Sequence, residues 1–163
     1  MTGLCITQFR AGIVAPALDM IGLGGDAAVS LMVGTALAES GLTYIRQVTG
    51  GGMGPALGLW QMEPFTHDDI WATFLSDSRL NSLARAVLSS RSNWPPGARQ
   101  VVGNAFYACI MARLKYYRAP DALPAARDAA AMCRMWKRVY NSNLGAGVAD
   151  DTHIALFQQA IGA

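Results

Sequence analysis

Apolar positions recur three and four residues apart through most of this chain, the spacing of one helix face. Phe9, Ile13, Val14, Ala17, Leu18 and Ile21 form the first such stripe, and Gly22 to Gly25 end it with residues that accept positive φ. Asp26 caps a second helix, Ala27 to Glu39, with a wide apolar face of Val29, Met32, Val33, Ala36 and Leu37. Glu39 lies seven residues beyond Met32, so its carboxylate projects over the same apolar side. Gly41 breaks the helix. From Leu42 to Leu57 the periodicity lapses: Tyr44, Ile45 and Val48 precede Gly50-Gly51-Gly52-Met53-Gly54-Pro55. That composition suits an irregular excursion or a small hairpin, and it is the only plausible β region.

Helical spacing resumes at Thr66, where Thr66-His67-Asp68-Asp69 reads as a capping box with Asp68 and Asp69 at the positive end of the helix dipole. Ile70, Trp71, Phe74 and Leu75 continue it. Ser78 to Ser90 is another amphipathic helix, and Arg91 to Gly97, with two prolines, is a loop. Ala98 to Arg118 reads as the longest helix, apolar at Val101, Val102, Ala105, Ala108, Cys109 and Ala112. Pro120 to Pro124 turns the chain. Over Ala125 to Tyr140, Met132, Met135, Trp136, Val139 and Tyr140 share a face that Arg127, Arg134, Lys137 and Arg138 mostly avoid, so Tyr140 is expected to face inward. Asn141 to Gly147 is a loop, and Asp151 or Thr152 caps a last short helix ending at Gly162. The pattern predicts a mainly α single domain over residues 1–163 with one Gly-rich loop or β-hairpin insertion.

Composition narrows the function classes. Hydrophobic residues make up 52% and charged residues 15%, far from the profile of a disordered chain. The net charge of +2 is small and the Lys and Arg residues are dispersed, so no nucleic-acid partner is expected. Cys5, Cys109 and Cys133 show no metal-ligand spacing, and neither a metal nor a cofactor is expected. Met1 to Arg10 does not read as a secretory signal, and Asp19 and Asp26 cut the next apolar stretch short of the ~20 residues that span a bilayer. The expectation is therefore a monomer made in a cytoplasm without a membrane span.

One carboxylate stands out. A carboxyl group among Met32, Ala36 and Leu37 would have its charged form disfavoured by desolvation, which suits a proton donor near neutrality. From the residue alone, a surface position at a helix end explains Glu39 more simply. His67 reads as a surface residue at a helix start, and His153 as a first-turn residue with no neighbour suggesting a ligand or base. Of the tryptophans, Trp60 is the one expected in a cleft, Trp94 in its polar loop is a rim candidate, and Trp71 and Trp136 fit core positions better.

Glu39-Ser40, then the Gly-rich sequence, then Ala56-Leu57-Gly58-Leu59-Trp60-Gln61-Met62-Glu63-Pro64-Phe65-Thr66 resembles the lytic transglycosylases of the lysozyme-like superfamily, whose pattern is ES followed by GAxGLMQxMPxT. Val139-Tyr140-Asn141 looks like a third element, a Tyr-Asn pair after a helix. The resemblance covers about Ala27 to Thr66 and Trp136 to Asn141, and leaves Asp77 to Pro124 unmatched. Pro55 stands where the family usually has Gly, and Glu63 where it usually has an apolar residue. The chain also resembles small phage lysis enzymes.

The resemblance implies a lysozyme-like helical fold and cleavage of the β-1,4 glycan backbone of bacterial peptidoglycan. It makes Glu39 the general acid and Ser40 a group that orients substrate or carboxylate. It has Gln61 bind sugar, Tyr140 bring its hydroxyl near Glu39, and Gly58, Trp60 and Asn141 line the substrate site. Glu63 is the candidate second carboxylate, or else a residue at the cleft mouth. Hydrolase and transglycosylase both remain open, as does a glycan-binding or virion-structural module that does not cut. Action on the wall in the periplasm, after release through a holin-like pore, follows from the likeness to phage lysis proteins.

Overall fold

In the computed structural model, which describes residues 3–141 and 147–163, the helix carrying Glu39 lies at the centre. In chain order the elements are α1 (6–20), α2 (Asp26–Ser40), β1 (Arg46–Thr49), β2 (Gly52–Leu57), α3 (64–74), α4 (Asn81–Ser89), α5 (Gln100–Gly103), α6 (Ala105–Tyr117), α7 (129–141) and α8 (Asp151–Gly162). The protein is mainly helical with one small antiparallel sheet, as its hydrophobic pattern predicts. No described helix is long and apolar enough to cross a membrane.

The sequence suggests one wide apolar face on α2, but every residue from Ala28 to Leu37 is buried. A helix apolar all round belongs inside, and here its neighbours cover all sides. Gly34 has no side chain because Phe157 of α8 occupies that space, and a Cβ there would run into the ring. On another side, Thr35 donates its hydroxyl to Leu31 O at 2.8 Å, which leaves Tyr116 of α6 to donate to Thr35 Oγ1 at 2.8 Å. Arg10 of α1 ties Ser30 Oγ (3.1 Å) to Ala160 O (2.9 Å), joining the first, second and last helices.

Several helix boundaries differ from the periodicity, each for a local reason. The helix expected from Thr66 begins at Pro64, which suits a first helical turn, with Glu63 as its N-cap residue. Asp69 consequently does not close a capping box; its carboxylate pairs with Arg118 at 2.6 Å. The long helix over Ala98 to Arg118 is interrupted at Asn104, whose side chain accepts from Tyr107 N at 3.0 Å and starts α6 afresh. Likewise the helix expected from Ala125 starts only at Ala129, because Asp128 caps it by accepting from Ala131 N at 2.8 Å. The loop expected over Asn141 to Gly147 falls mostly outside the described residues; Asn141 itself ends α7.

Gly41, left-handed at φ 58°, stops α2, and the chain passes into the hairpin. Val48 pairs with Met53 and Thr49 with Gly52, while a bulge separates the Val48 pairing from that of Arg46 with Leu57. The hairpin stands beside the end of α2 and forms one wall of a cleft.

Candidate active site

The cleft holds about 640 Å³ between the hairpin and the helices. Glu39 from the end of α2, Gln61 and Glu63 from the turn before α3, and Tyr140 and Asn141 from the end of α7 all line it. Sequence segments a hundred residues apart thus converge. Tyr44, Gln47 and Val48 form the hairpin wall, and Thr66, Lys115 and Gly147 complete the lining.

Glu39 is half-buried, and burial raises its carboxyl above the ordinary carboxylate range. Four neighbours partly oppose that rise, the smallest contribution coming from the charge of His153 acting through space. Trp136 donates its indole N–H to Oε1 at 2.8 Å, the positive charge of Lys115 acts through space, and the Asn141 amide hydrogen-bonds the carboxyl group. Asn141 is itself oriented by Lys137, which donates to its Oδ1 at 3.0 Å and so leaves the NH₂ end for Glu39. Trp136, Tyr140 and Asn141 belong to one widened, π-type turn of α7. Such turns re-aim side chains off the regular helical spacing, and this one gathers three residues around one carboxyl group.

The Gly58-Leu59-Trp60-Gln61 turn is closed by paired hydrogen bonds, Leu57 N to Met62 O and Met62 N to Leu57 O, both 2.9 Å. Gln61 takes φ +45°, rare for a residue with a side chain, and its Nε2 donates back to Gly58 O at 2.8 Å. The side chain thereby supports the strained turn from within the cleft.

Three expectations about this turn and its neighbours need correction. Trp60 is 1% exposed: it packs on Phe9 and donates to Met32 O at 2.9 Å, so it is an anchor of the turn and not a cleft wall. Gly58 does permit a close backbone approach, but the approaching atom is the Val101 carbonyl of α5, which a Cβ would strike, and φ is +73°. Ser40 turns inward, donating to Leu59 O (2.7 Å) and Ala36 O (3.0 Å) and accepting from Leu42 N (3.2 Å), so it orients the turn and not a substrate. Tyr140 lines the cleft with Glu39, which acts on it through space, and its hydroxyl donates to Trp60 O at 2.8 Å.

Glu63 stands exposed at the rim. Asp68 and Asp69 lie on the flank of α3 outside the cleft lining, and His67 is buried at 2% exposure, where it had been expected at the surface. Its ring links Asp68 Oδ1 (2.8 Å) to the Tyr107 hydroxyl (2.6 Å), which also accepts from Trp71 Nε1 at 2.9 Å. This array fastens α3 to α6. Among the described residues no group of His, Cys, Asp and Glu is arranged to hold a metal.

Sequence reasoning missed three residues. Trp136 reads as core and is 1% exposed, but its N–H is the direct partner of Glu39; its position one turn before Tyr140 on the same face was the available signal. Lys115, which donates to Tyr140 O and sits 4.2 Å over that ring, follows Ala108 and Ala112 on an apolar stripe, where a lysine is out of place. His153 has a partner after all, stacking on Trp136 with ring centres 5.0 Å apart and held by Asp150 at 2.7 Å. Nothing in its sequence neighbourhood points to that contact.

No protein family, curated protein or solved structure matches the chain.

Proposed function

We propose that this protein cleaves the β-1,4 glycan backbone of bacterial peptidoglycan on a lysozyme-like frame, with Glu39 as the general acid. The observation that carries the reading is one desolvated carboxyl group at the wall of an open cleft, its pKa raised by burial, with a second, solvated carboxylate at the rim. That pairing of environments suits glycosidic cleavage, in which the leaving oxygen is poor until it is protonated. The spacing of Glu39-Ser40, the Gly58 to Gln61 turn and Tyr140-Asn141 supports the same substrate.

In this mechanism the bond between C1 of N-acetylmuramic acid and O4 of N-acetylglucosamine breaks as Glu39 passes its proton to O4. The sugar then carries oxocarbenium character at C1. Either water adds there and yields its proton to a carboxylate, leaving a reducing end, or the sugar's own C6 hydroxyl adds and returns its proton to Glu39, leaving a 1,6-anhydro end. Trp136 and Asn141 hold the ionised Glu39 in place between the two steps.

Purified sacculi digested by the protein and analysed by mass spectrometry test the proposal. Soluble muropeptides are expected, and Glu39→Gln should lower their rate of release by about 10³-fold. Full activity in that variant, or binding to sacculi without release of fragments, would reject Glu39 catalysis; the second outcome would favour a glycan-binding module. Glu63→Gln then divides the two courses: a loss of about 10²-fold with reducing ends assigns it to water activation, and a small change with 1,6-anhydro ends removes it from the chemistry.

A further inference from the structure

Across the hairpin from the cleft lies a second depression, of about 720 Å³, that glycan cleavage does not use. Ile45, Arg46, Met53 and Pro55 of the hairpin segment line one side, and Trp94 and Arg99, before α5, line the other. Alternation along β2 accounts for the separation: Met53, Pro55 and Leu57 face this groove, whereas Ala56 faces the cleft. On β1 the bulge after Arg46 resets the faces, so Arg46 turns to the groove and both Gln47 and Val48 to the cleft.

The groove is apolar yet uncovered, with Trp94 79% and Met53 72% exposed. Its charged lining is Arg46 and Arg99, and no carboxylate is among the lining residues. Neither arginine enters a salt bridge among the described residues. Arg46 Nε donates to Gly54 O at 3.3 Å, which directs the guanidinium along the strand. Pro64 borders the groove and the adjacent Glu63 borders the cleft, so the two depressions meet at the start of α3.

Two unneutralised guanidinium groups call for carboxylates, which they can grip through paired hydrogen bonds. A broad indole face and two small apolar contacts suit flat peptide bonds and methyl side chains. We propose that this groove binds a short peptide bearing carboxylates. Resting on the reading that the cleft takes peptidoglycan, the occupant is the acidic stem peptide branching from the same strand, held while the glycan is cut.

The test has a binding arm and an activity arm. Sugar-free tetrapeptide L-Ala-γ-D-Glu-diaminopimelyl-D-Ala is titrated into the Glu39→Gln protein while tryptophan fluorescence is followed. A saturable change is expected that disappears in the added variant Trp94→Phe, and the paired variant Arg46→Gln/Arg99→Gln should weaken Kd by about tenfold. No saturable change, or equal affinity with and without the arginines, overturns the proposal. In the second arm, the paired variant on an otherwise native chain should lose about tenfold in kcat/KM on intact peptidoglycan and nothing on glycan strands stripped of peptide. Equal losses on both polymers overturn it. A wild-type protein that cuts neither polymer but binds the tetrapeptide would reject glycan cleavage and keep the groove. One that cuts both and binds no tetrapeptide would do the reverse.

Discussion

The two walls of the cleft are built differently. On the helical wall nearly every polar group has a named partner inside the protein: Trp136 on Glu39, Tyr140 on Trp60 O, Lys115 on Tyr140 O, Ser40 on Leu59 O. On the hairpin wall Val48, on a ribbon of two strands among the described residues, and Tyr44, just before it, stand more than half exposed. Two strands alone are marginally stable in water, so this ribbon depends on its attachment to the end of α2 and the Gly58 turn. A rigid wall can hold an acid at a raised pKa, and an uncommitted wall can meet a polymer. Under the proposed glycan cleavage, the contrast assigns chemistry to one wall and recognition to the other.

That contrast can be broken by substitution, beginning with the largest effect. Glu39→Gln on the helical wall should cost about 10³-fold in activity, whereas Tyr44→Ala on the hairpin wall should change KM by no more than about threefold. Equal losses at both positions would end the division of labour. Gly58→Ala comes next, because it forces a Cβ into the Val101 carbonyl at φ +73°. It should reduce stability by about 3 kcal/mol in denaturant unfolding, against less than about 0.5 kcal/mol for Val48→Ala.

Trp136→Phe sharpens the electrostatic side. The indole N–H favours ionised Glu39, so its removal lets burial raise the carboxyl further. The protonated acid then persists to higher pH, and the alkaline limb of the kcat/KM profile should move up; a limb that stays put or moves down would break the assigned link. His153→Ala, which removes the ring stacked on that indole, should loosen the same hydrogen bond with a smaller loss of rate.

The smallest effect is on stability against pH. Glu39 has a folded-state pKa above its unfolded one, so its stabilising share is fully present below the unfolded value and is lost as pH rises through the folded value. Glu39→Gln should therefore raise Tm relative to the native protein at pH 8 and have little effect near pH 4. A Tm difference independent of pH would show that the carboxyl is not desolvated.

Local chemistry made part of this molecule legible before any tertiary contact was known. Helical periodicity located α2, α4 and α8, Gly41 ended α2, and the glycine run marked the hairpin, because spacing and permitted φ are properties of short segments. Glu39, Gln61, Glu63, Tyr140 and Asn141 were legible as a set by resemblance, and they do line one cleft. The tertiary structure alone decided which groups each of them touches. Trp60 looked like a cleft residue because it sits beside Gln61, but the left-handed backbone at Gly58 and Gln61 turns it onto Met32 O, in a helix turn that its neighbours in sequence cannot specify. Lys115, Trp136 and His153 reach Glu39 or its partners only because α6, α7 and α8 pack around α2, and the π-type turn that begins at Trp136 shifts Asn141 off regular helical spacing. Distance in sequence carries no information about such contacts, whereas a carboxyl group's acidity depends on every charge and dipole within a few ångströms of it.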